Sequence, residues 1–209
     1  MSDRIRFRPG VAEDVEPAVP LIYSSGPAAF DFVFSHRTPI DAQTFLRRTF
    51  LTGAGEFGYA GHVVGEMNGV CVATAAGWSA DALRGFMLVA LRQILRHYGV
   101  VAGIGVMSRG LRMEHMLSTP TREEFYIAHV GVTPGLRGHG IGGQLMEAML
   151  ARARAQGMRY ATLDVSIENP RAEALYARLG FEVISETPSS LANATARVPG
   201  HRKMLKRLG

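Results

Sequence analysis

The residues best placed to do chemistry lie between Tyr126 and Gln144, in the stretch YIAHVGVTPGLRGHGIGGQ. An apolar, strand-like run ends at Val132, and a turn carrying Pro134 and Gly135 follows. Four glycines, Gly138, Gly140, Gly142 and Gly143, then open a helix. Without side chains they let the backbone come close to a ligand. The helix start presents unpaired N–H groups and the positive end of its dipole, which suit an anion such as a phosphate. Arg137 adds a fixed positive charge beside them.

Several readings compete for this loop. Gly138, Gly140 and Gly143 satisfy the G-x-G-x-x-G of a dinucleotide fingerprint, with Asp164 roughly 20 residues on. That fingerprint should follow its strand directly, but residues 133–137 intervene, and too little chain follows Asp164 for the further strand–helix units of a doubly wound fold. A Walker loop needs Lys and then Ser or Thr after its second glycine, and Gly143 is followed by Gln144 and Leu145. A turn with no ligand would carry the backbone-entropy cost of four glycines without a reason. The pattern that fits is R/Q-x-x-G-x-G/A, met by RGHGIG from Arg137 to Gly142. It is the acyl-CoA signature of the GNAT superfamily of N-acetyltransferases, which this chain resembles. The opening IRFRPGVAEDVEPAVPLI resembles that family's first strand and helix. LDVSIENPRAEALYARLGF, from Leu163 to Phe181, resembles its strand followed by N-x-x-A-x-x-L-Y-x-x-x-G-F. Together these cover about half the chain, in the family's order.

The resemblance implies an α/β (α+β) fold. Its mixed, mostly antiparallel central sheet is splayed between the fourth and fifth strands, with flanking helices. It implies acetyl-CoA as co-substrate and direct transfer of the acetyl group to a primary amine, without a covalent enzyme intermediate. Acetyl-CoA is then expected against Val130, Val132, Arg137, Gly138, His139, Gly140, Gly142, Gly143, Asn169 and Tyr176. Backbone N–H groups at Val130 to Val132 would polarise the thioester carbonyl. Tyr176, in LYARLGF, would hand a proton to the departing thiolate. Asp164 matches the position of a glutamate proposed as base in the ribosomal-protein alanine N-acetyltransferases of the superfamily, one methylene shorter. Glu124, His129 and a water chain compete with it for the base. Each named residue also has a plainer reading: Tyr176 as a core tyrosine, Asp164 as a strand-end hydrogen-bonder, Glu124 as a solvated charge, His129 as a satisfied core histidine. A non-catalytic acyl-CoA-binding module is the rival from another class, and acetyl-CoA turnover with a panel of amines separates the two.

Composition agrees with a globular enzyme domain. At 209 residues, 47% hydrophobic and 20% charged, the chain is read as a single domain, 1–209, with a full core. The only cysteine, Cys71, sits in VCVATAA, reads as a small core residue, and lies far in sequence from the loop. MSDRIRFRPG has no apolar h-region, so a cytoplasmic location is expected. The seven histidines show no H-E-x-x-H and no Cys/His cluster, so no metal is expected. The net charge is +5, but the basic residues are spread out, and no nucleic-acid partner is expected. The densest basic stretch, HRKMLKRL, reads as a final edge strand whose charges discourage aggregation.

The elements that must position the site follow from periodicity and turn chemistry. Arg4 to Arg8 alternates as a strand, and Glu13 to Tyr23 reads as a helix made irregular by Pro17 and Pro20. Ser24 to Pro39 reads as an aromatic-rich loop, and Asp41 to Leu51 as a helix. Tyr59 to Glu66 and Val70 to Trp78 form a hairpin turned at Asn68-Gly69. Ala80 to Tyr98 reads as an amphipathic helix, with Leu83, Met87, Leu91, Ile94 and Tyr98 on its apolar face. Val100 to Leu117 reads as another helix or a partly ordered connection. Phe125 to Val132 is a strand, Gly140 to Gln156 a helix, and Ala161 to Ser166 a strand. Asn169 caps a helix stopped at Gly180, and Phe181 to Glu186 and Arg202 to Arg207 are the last strands. The segment at about 80–118 is an insert relative to a minimal GNAT pattern. Its roles are open between a structural cap on the sheet, a wall of the acceptor pocket touched by Arg92, Arg96 or Tyr98, and a homodimer face. None of its apolar runs reaches the roughly 18 residues of a membrane span. The small-residue loop Ser189 to Gly200 is a second candidate for the acceptor side.

Overall fold

The alternating residues of the first strand and the hairpin build one edge of a seven-stranded sheet. The computed structural model describes residues 5–35 and 42–209. Arg4, His36 to Pro39 and Asp41, on which parts of three expectations fall, lie outside the described residues. The strands β1 (Arg6–Pro9), β2 (His62–Met67), β3 (Val70–Ser79), β4 (Glu124–Val132), β5 (Tyr160–Ser166), β6 (Glu182–Thr187) and β7 (His201–Arg207) are ordered β1-β2-β3-β4-β5-β7-β6. Only β4 and β5 pair parallel; every other neighbouring pair is antiparallel. Asn68 and Gly69 turn the β2–β3 hairpin, both left-handed (φ 52° and 79°). That is the twist a two-residue hairpin needs.

Helices α1 (Val15–Ser24), α2 (Pro27–Phe34), α3 (Ala42–Leu51) and α4 (Ala80–Glu114) contribute to one core. Helices α5 (Ile141–Ala155) and α6 (Pro170–Arg178) contribute to a second core, with Phe125, Ile127, Leu163 and Met204 from the sheet. Gly131 lets α1 lie against β4, since a Cβ there would stand 2.4 Å from the Leu21 carbonyl oxygen. Among the described residues no helix is long and apolar enough to cross a membrane.

Three expectations are corrected. The aromatic-rich loop contains α2, whose Pro27 is at the first helical position; Phe30 and Phe34, one turn apart, stack 6.4 Å from each other. The last strand is not an edge: β7 lies between β5 and β6, and β6 is the edge. Its basic residues have partners there, Arg202 with Glu173 (2.7 Å) and Glu186 (2.8 Å), and Lys203 with Glu124 (3.2 Å). The 80–118 insert is helical to Glu114, broken at Gly99, whose φ of 74° and ψ of 177° no helix accommodates. The expected apolar face is only partly covered: Ile94 is buried, whereas Met87 is 66% and Leu91 38% exposed. The helix touches the body at separated points, so the residues between them stand clear. Phe86 packs on Trp78 at 5.5 Å, and Ile94, Val106 and Met113 enter the first core.

Candidate active site

The sheet opens where the sequence placed its chemistry. β4 and β5 pair at Glu124–Tyr160, Phe125–Ala161 and Tyr126–Thr162, and the pairing stops there. The cause is local. Between Thr74–Gly131 and Ala76–Ala128, two residues of β4, His129 and Val130, oppose the single Ala75 of β3. His129 takes a left-handed conformation there (φ 56°). Such a bulge bends and twists its strand, so β4 leaves β5. Val130 and Val132 stand beyond the last β4–β5 pair, on one side of the resulting slot.

The glycine loop follows at the end of β4. Gly138 (φ 84°) and Gly140 (φ 79°) are left-handed, and a Cβ on either would meet nothing within 4 Å. Their backbone therefore faces open space. The first full turn of α5 closes from Gln144 N to Gly140 O (3.1 Å), which leaves the amides ahead of it free of that ladder. Gly142 and Gly143 serve differently. A Cβ on Gly142 would stand 3.3 Å from Leu175, so this glycine admits the close approach of α6, whereas one on Gly143 would make an ordinary contact with Leu175 at 4.0 Å. Arg137 is fixed by Nε donating to the Val132 carbonyl (3.0 Å), and His139 Nδ1 lies 3.1 Å from the Arg137 carbonyl. Asn169 caps α6, its Oδ1 accepting from Ala172 N (3.1 Å).

Tyr176 projects from α6 into the second core, edge-on to Phe181 at 6.1 Å. Burial pushes its phenol up to about 12. Its charge and that of Tyr126 lie close enough to interact. Asp164 is held by three donors: Ser118 Oγ on Oδ1 (2.9 Å), Ser118 N (2.8 Å) and Tyr126 Oη (2.9 Å) on Oδ2. Burial, and next the Asp164 charge, raise the Tyr126 phenol well above its ordinary value. Glu124 is buried rather than solvated, accepting from Thr121 N and Lys203 Nζ, both at 3.2 Å. His129 Nε2 lies 3.2 Å from Glu56 Oε1, with its ring among Phe57 (5.2 Å), Phe30 (5.8 Å), His62 (5.9 Å) and Trp78 (6.0 Å). His62 is held down at about 3, first by burial and then by His129. Cys71 is buried and its thiol is pushed up to about 12 by burial, which leaves it un-ionised and a poor nucleophile.

The structure thus brings Asp164 and Tyr176 to the neighbourhood of Tyr126, and puts His129 in the bulge of β4 beyond its last pair with β5. Ser118, Tyr126, Glu56 and Trp78 had no signature in the sequence. Ser118 reaches Asp164 across 46 positions and Glu56 reaches His129 across 73, so no local pattern could reveal either. Among the described residues no cluster of His, Cys, Asp and Glu could hold a metal ion.

Comparison with known proteins agrees with this layout. The chain is 40% identical over 52 residues to an L-methionine sulfoximine/L-methionine sulfone acetyltransferase of Pseudomonas aeruginosa, covering 25% of this chain and 30% of the relative. It is 38% identical over 72 residues to a mycothiol acetyltransferase of Corynebacterium aurimucosum, covering 34% of this chain and 23% of the relative. The matched segments thus span under a third of those relatives. A GCN5-related N-acetyltransferase from Kribbella flavida shares the fold at a TM-score of 0.59 and 17% identity, covering 98% of both chains. A GNAT superfamily phosphinothricin acetyltransferase from Sinorhizobium meliloti, in complex with acetyl-CoA, does so at a TM-score of 0.57 and 18% identity, covering 98% of this chain and 89% of that one. The model of the GNAT family of acetyltransferases, whose co-substrate is acetyl-CoA, matches residues 31–181. A match over most of the chain, on a sheet splayed beside a glycine loop, makes this protein a member of the GNAT acetyltransferase family.

Proposed function

We propose that this chain transfers the acetyl group of acetyl-CoA to a primary amine by direct attack, with both substrates bound together. The observation that carries the reading is the slot between β4 and β5, with the open glycine backbone at the end of β4 and α6, which carries Tyr176, packed beside that loop through Leu175. Acetyl-CoA supplies a thioester whose carbonyl carbon accepts the amine and whose sulfur leaves. Amides of Gly138, His139 and Gly140, with those of Gly142 and Gly143 at the helix start, suit its pyrophosphate. Amides of Val130 and Val132, on the edge of β4 left without a strand, suit the carbonyl oxygen. Tyr176 has no hydrogen-bond partner among the described residues, and its raised phenol keeps a proton for the thiolate. Arg137 anchors the end of β4, and Asn169 holds the start of α6. The Cys71 thiol gives no support to an acyl-cysteine route.

Asp164, expected as the base, has both oxygens engaged by donors. Its role in this reading is to tie Ser118 and Tyr126 to β5; a proton reaching it would pass through the Tyr126 hydroxyl. The chain acts as one domain, 1–209, with the insert at 80–118 packed onto it, in a cytoplasmic setting. A homodimer, if formed, uses the outward aliphatic residues of α4, Val101, Ile104 and Leu111, which are 89%, 59% and 55% exposed. Light scattering tests it. The rival reading, a binding module without turnover, has no observation in its favour. Release of free thiol from acetyl-CoA, with spermidine, L-lysine, L-methionine sulfone, 2-phenylethylamine and an alanine-initiated peptide as acceptors, tests the transfer. Turnover with one of them is expected. CoA binding with no turnover of any would favour the module.

A further inference from the structure

We infer that His129, oriented by Glu56, takes the proton from the acceptor amine. This rests on reading the slot as a site of acetyl transfer to an amine. Three side chains near the slot could serve as base, and two are engaged. Asp164 receives three hydrogen bonds on its two oxygens. Glu124 sits at the far end of β4, paired with Lys203 and Thr121. His129 differs from both. It lies three residues past Tyr126, the last residue of β4 paired with β5, and forms the bulge with Val130. Its φ of 56° is uncommon for a residue other than glycine. Backbone in such a region persists only where its surroundings hold it, and it is found often at functional sites.

The ring is built in on one side. Nε2 faces Glu56 Oε1 at 3.2 Å; the histidine side chain is 9% exposed and the glutamate 40%. Nδ1 has no hydrogen-bond partner among the described residues. A neutral imidazole that donates Nε2–H to a carboxylate keeps its lone pair on Nδ1, the atom a base needs. Phe30, Phe57 and Trp78 fix the ring plane and keep water from it. The titratable groups around it are Glu56 from the loop before β2, His62 from β2, Glu114 from the end of α4, which feels the Glu56 charge, and Tyr126 from β4, which does too. His62, buried and held at about 3, is neutral and brings no competing charge.

The step balances. An ammonium N–H bond breaks and its proton goes to Nδ1, giving an imidazolium paired with Glu56. The freed lone pair forms the C–N bond to the acetyl carbonyl carbon, the C–S bond breaks, and the nitrogen, still carrying one proton too many, releases it to solvent. Tyr176 protonates the sulfur, so amide and CoA thiol leave together. The imidazolium then returns its proton to water, and the Tyr176 phenolate takes back from solvent the proton that the nitrogen released, so one proton is set free per turnover. Glu56 touches neither substrate in this scheme and is a positioning residue.

The test uses the full chain, acetyl-CoA and the fastest of the five amines named above. His129→Ala should lower kcat at least about 100-fold with CoA affinity by calorimetry within about twofold. Its residual rate should climb with pH until the amine itself is neutral, because only free base then reacts. Glu56→Gln, at a partly exposed position and safer for folding, should lower kcat about tenfold, and Glu56→Asp should restore part of the loss. Long-range ¹H–¹⁵N spectra, which need no acceptor, should show His129 protonated at Nε2 in the wild type and a tautomer mixture in Glu56→Gln. A wild type that turns over an amine while both variants keep kcat within a factor of a few would overturn the dyad and leave the transfer standing. An Nδ1-protonated His129 in the wild type would do the same. A wild type that turns over none of the amines would overturn the transfer reading and the dyad with it.

Discussion

The role proposed for Tyr176 depends on its burial. A phenol pushed up to about 12 keeps its proton near neutral pH, so in the proposed transfer it would meet the leaving thiolate as a donor. Tyr176→Phe keeps the ring against Phe181 and removes only the proton. We expect kcat to fall about 10²–10⁴-fold while KM for acetyl-CoA moves much less; a kcat within a factor of a few would make Tyr176 a packing residue. His62 shows burial acting on stability instead. It titrates near 6.5 when unfolded and near 3 when folded, first because burial disfavours its charge. Between those values the unfolded chain binds a proton that the folded chain does not, so stability falls as pH falls. The slope from this one residue is about 1.4 kcal/mol per pH unit. It begins near pH 6.5 and ends near pH 3. His97 and His201 are also lowered by burial and act in the same direction, so the difference between proteins isolates His62. Urea midpoints between pH 7 and pH 5 should drop less steeply for His62→Gln than for the wild type; parallel lines would remove His62 from the acid sensitivity.

At the scale of elements, what depends on neighbours in sequence was legible and what depends on distant partners was not. The Asn68-Gly69 turn, the Asn169 cap and the left-handed Gly140 at the start of α5 are each set within a few residues, and each stands where the pattern put it. The slot was legible only through resemblance. Its physical cause, a bulge at His129 and Val130, leaves no periodic trace. The Phe30–Phe32–Phe34 run hid a helix because its two-residue spacing imitates a strand, while the signal that mattered was Pro27. The place of β7 inside the sheet hid behind its charges, because Arg202 and Lys203 find their acids on α6, β6 and β4. The glycine loop carries the prediction at this scale. Gly140 is left-handed with open space before it, so Gly140→Val strains the backbone and fills the space proposed for the pyrophosphate. CoA affinity should fall at least about tenfold, roughly the 1.4 kcal/mol that one lost charge-assisted contact costs. Circular dichroism should show the fold kept. Unchanged CoA affinity by calorimetry would remove the loop from the site.

Across the whole molecule, the insert reaches the candidate site through α2. The last turn of any helix leaves carbonyls without partners, and for α2 the insert supplies them. Tyr98 Oη donates to the Phe34 carbonyl (2.7 Å), Arg109 Nε to Val33 (3.0 Å) and an Arg109 terminal nitrogen to Ser35 (3.2 Å). The same α2 carries Phe30, which lies against His129, and the β6–β7 loop joins in through Asn193 Nδ2 on the Phe32 carbonyl (3.0 Å). Arg92 and Arg96, expected on an acceptor wall, are exposed. We predict that the insert acts on the acceptor side by holding α2 in place. Arg109→Ala removes two of the three carbonyl contacts without touching the slot. It should cost about 1–3 kcal/mol of stability, raise KM for the acceptor several-fold, and leave CoA affinity unchanged. Arg92→Ala and Arg96→Ala should leave all three quantities where they are. If Arg109→Ala destabilises the protein yet acceptor kinetics do not move, α2 is held well enough by Phe30, Phe32 and Phe34 in the core. The insert is then a cover on the sheet and nothing more. If the two exposed arginines move acceptor KM while Arg109 does not, the acceptor binds on the exposed face of the insert, and the amine must reach the slot from a direction that the packing of α2 does not control.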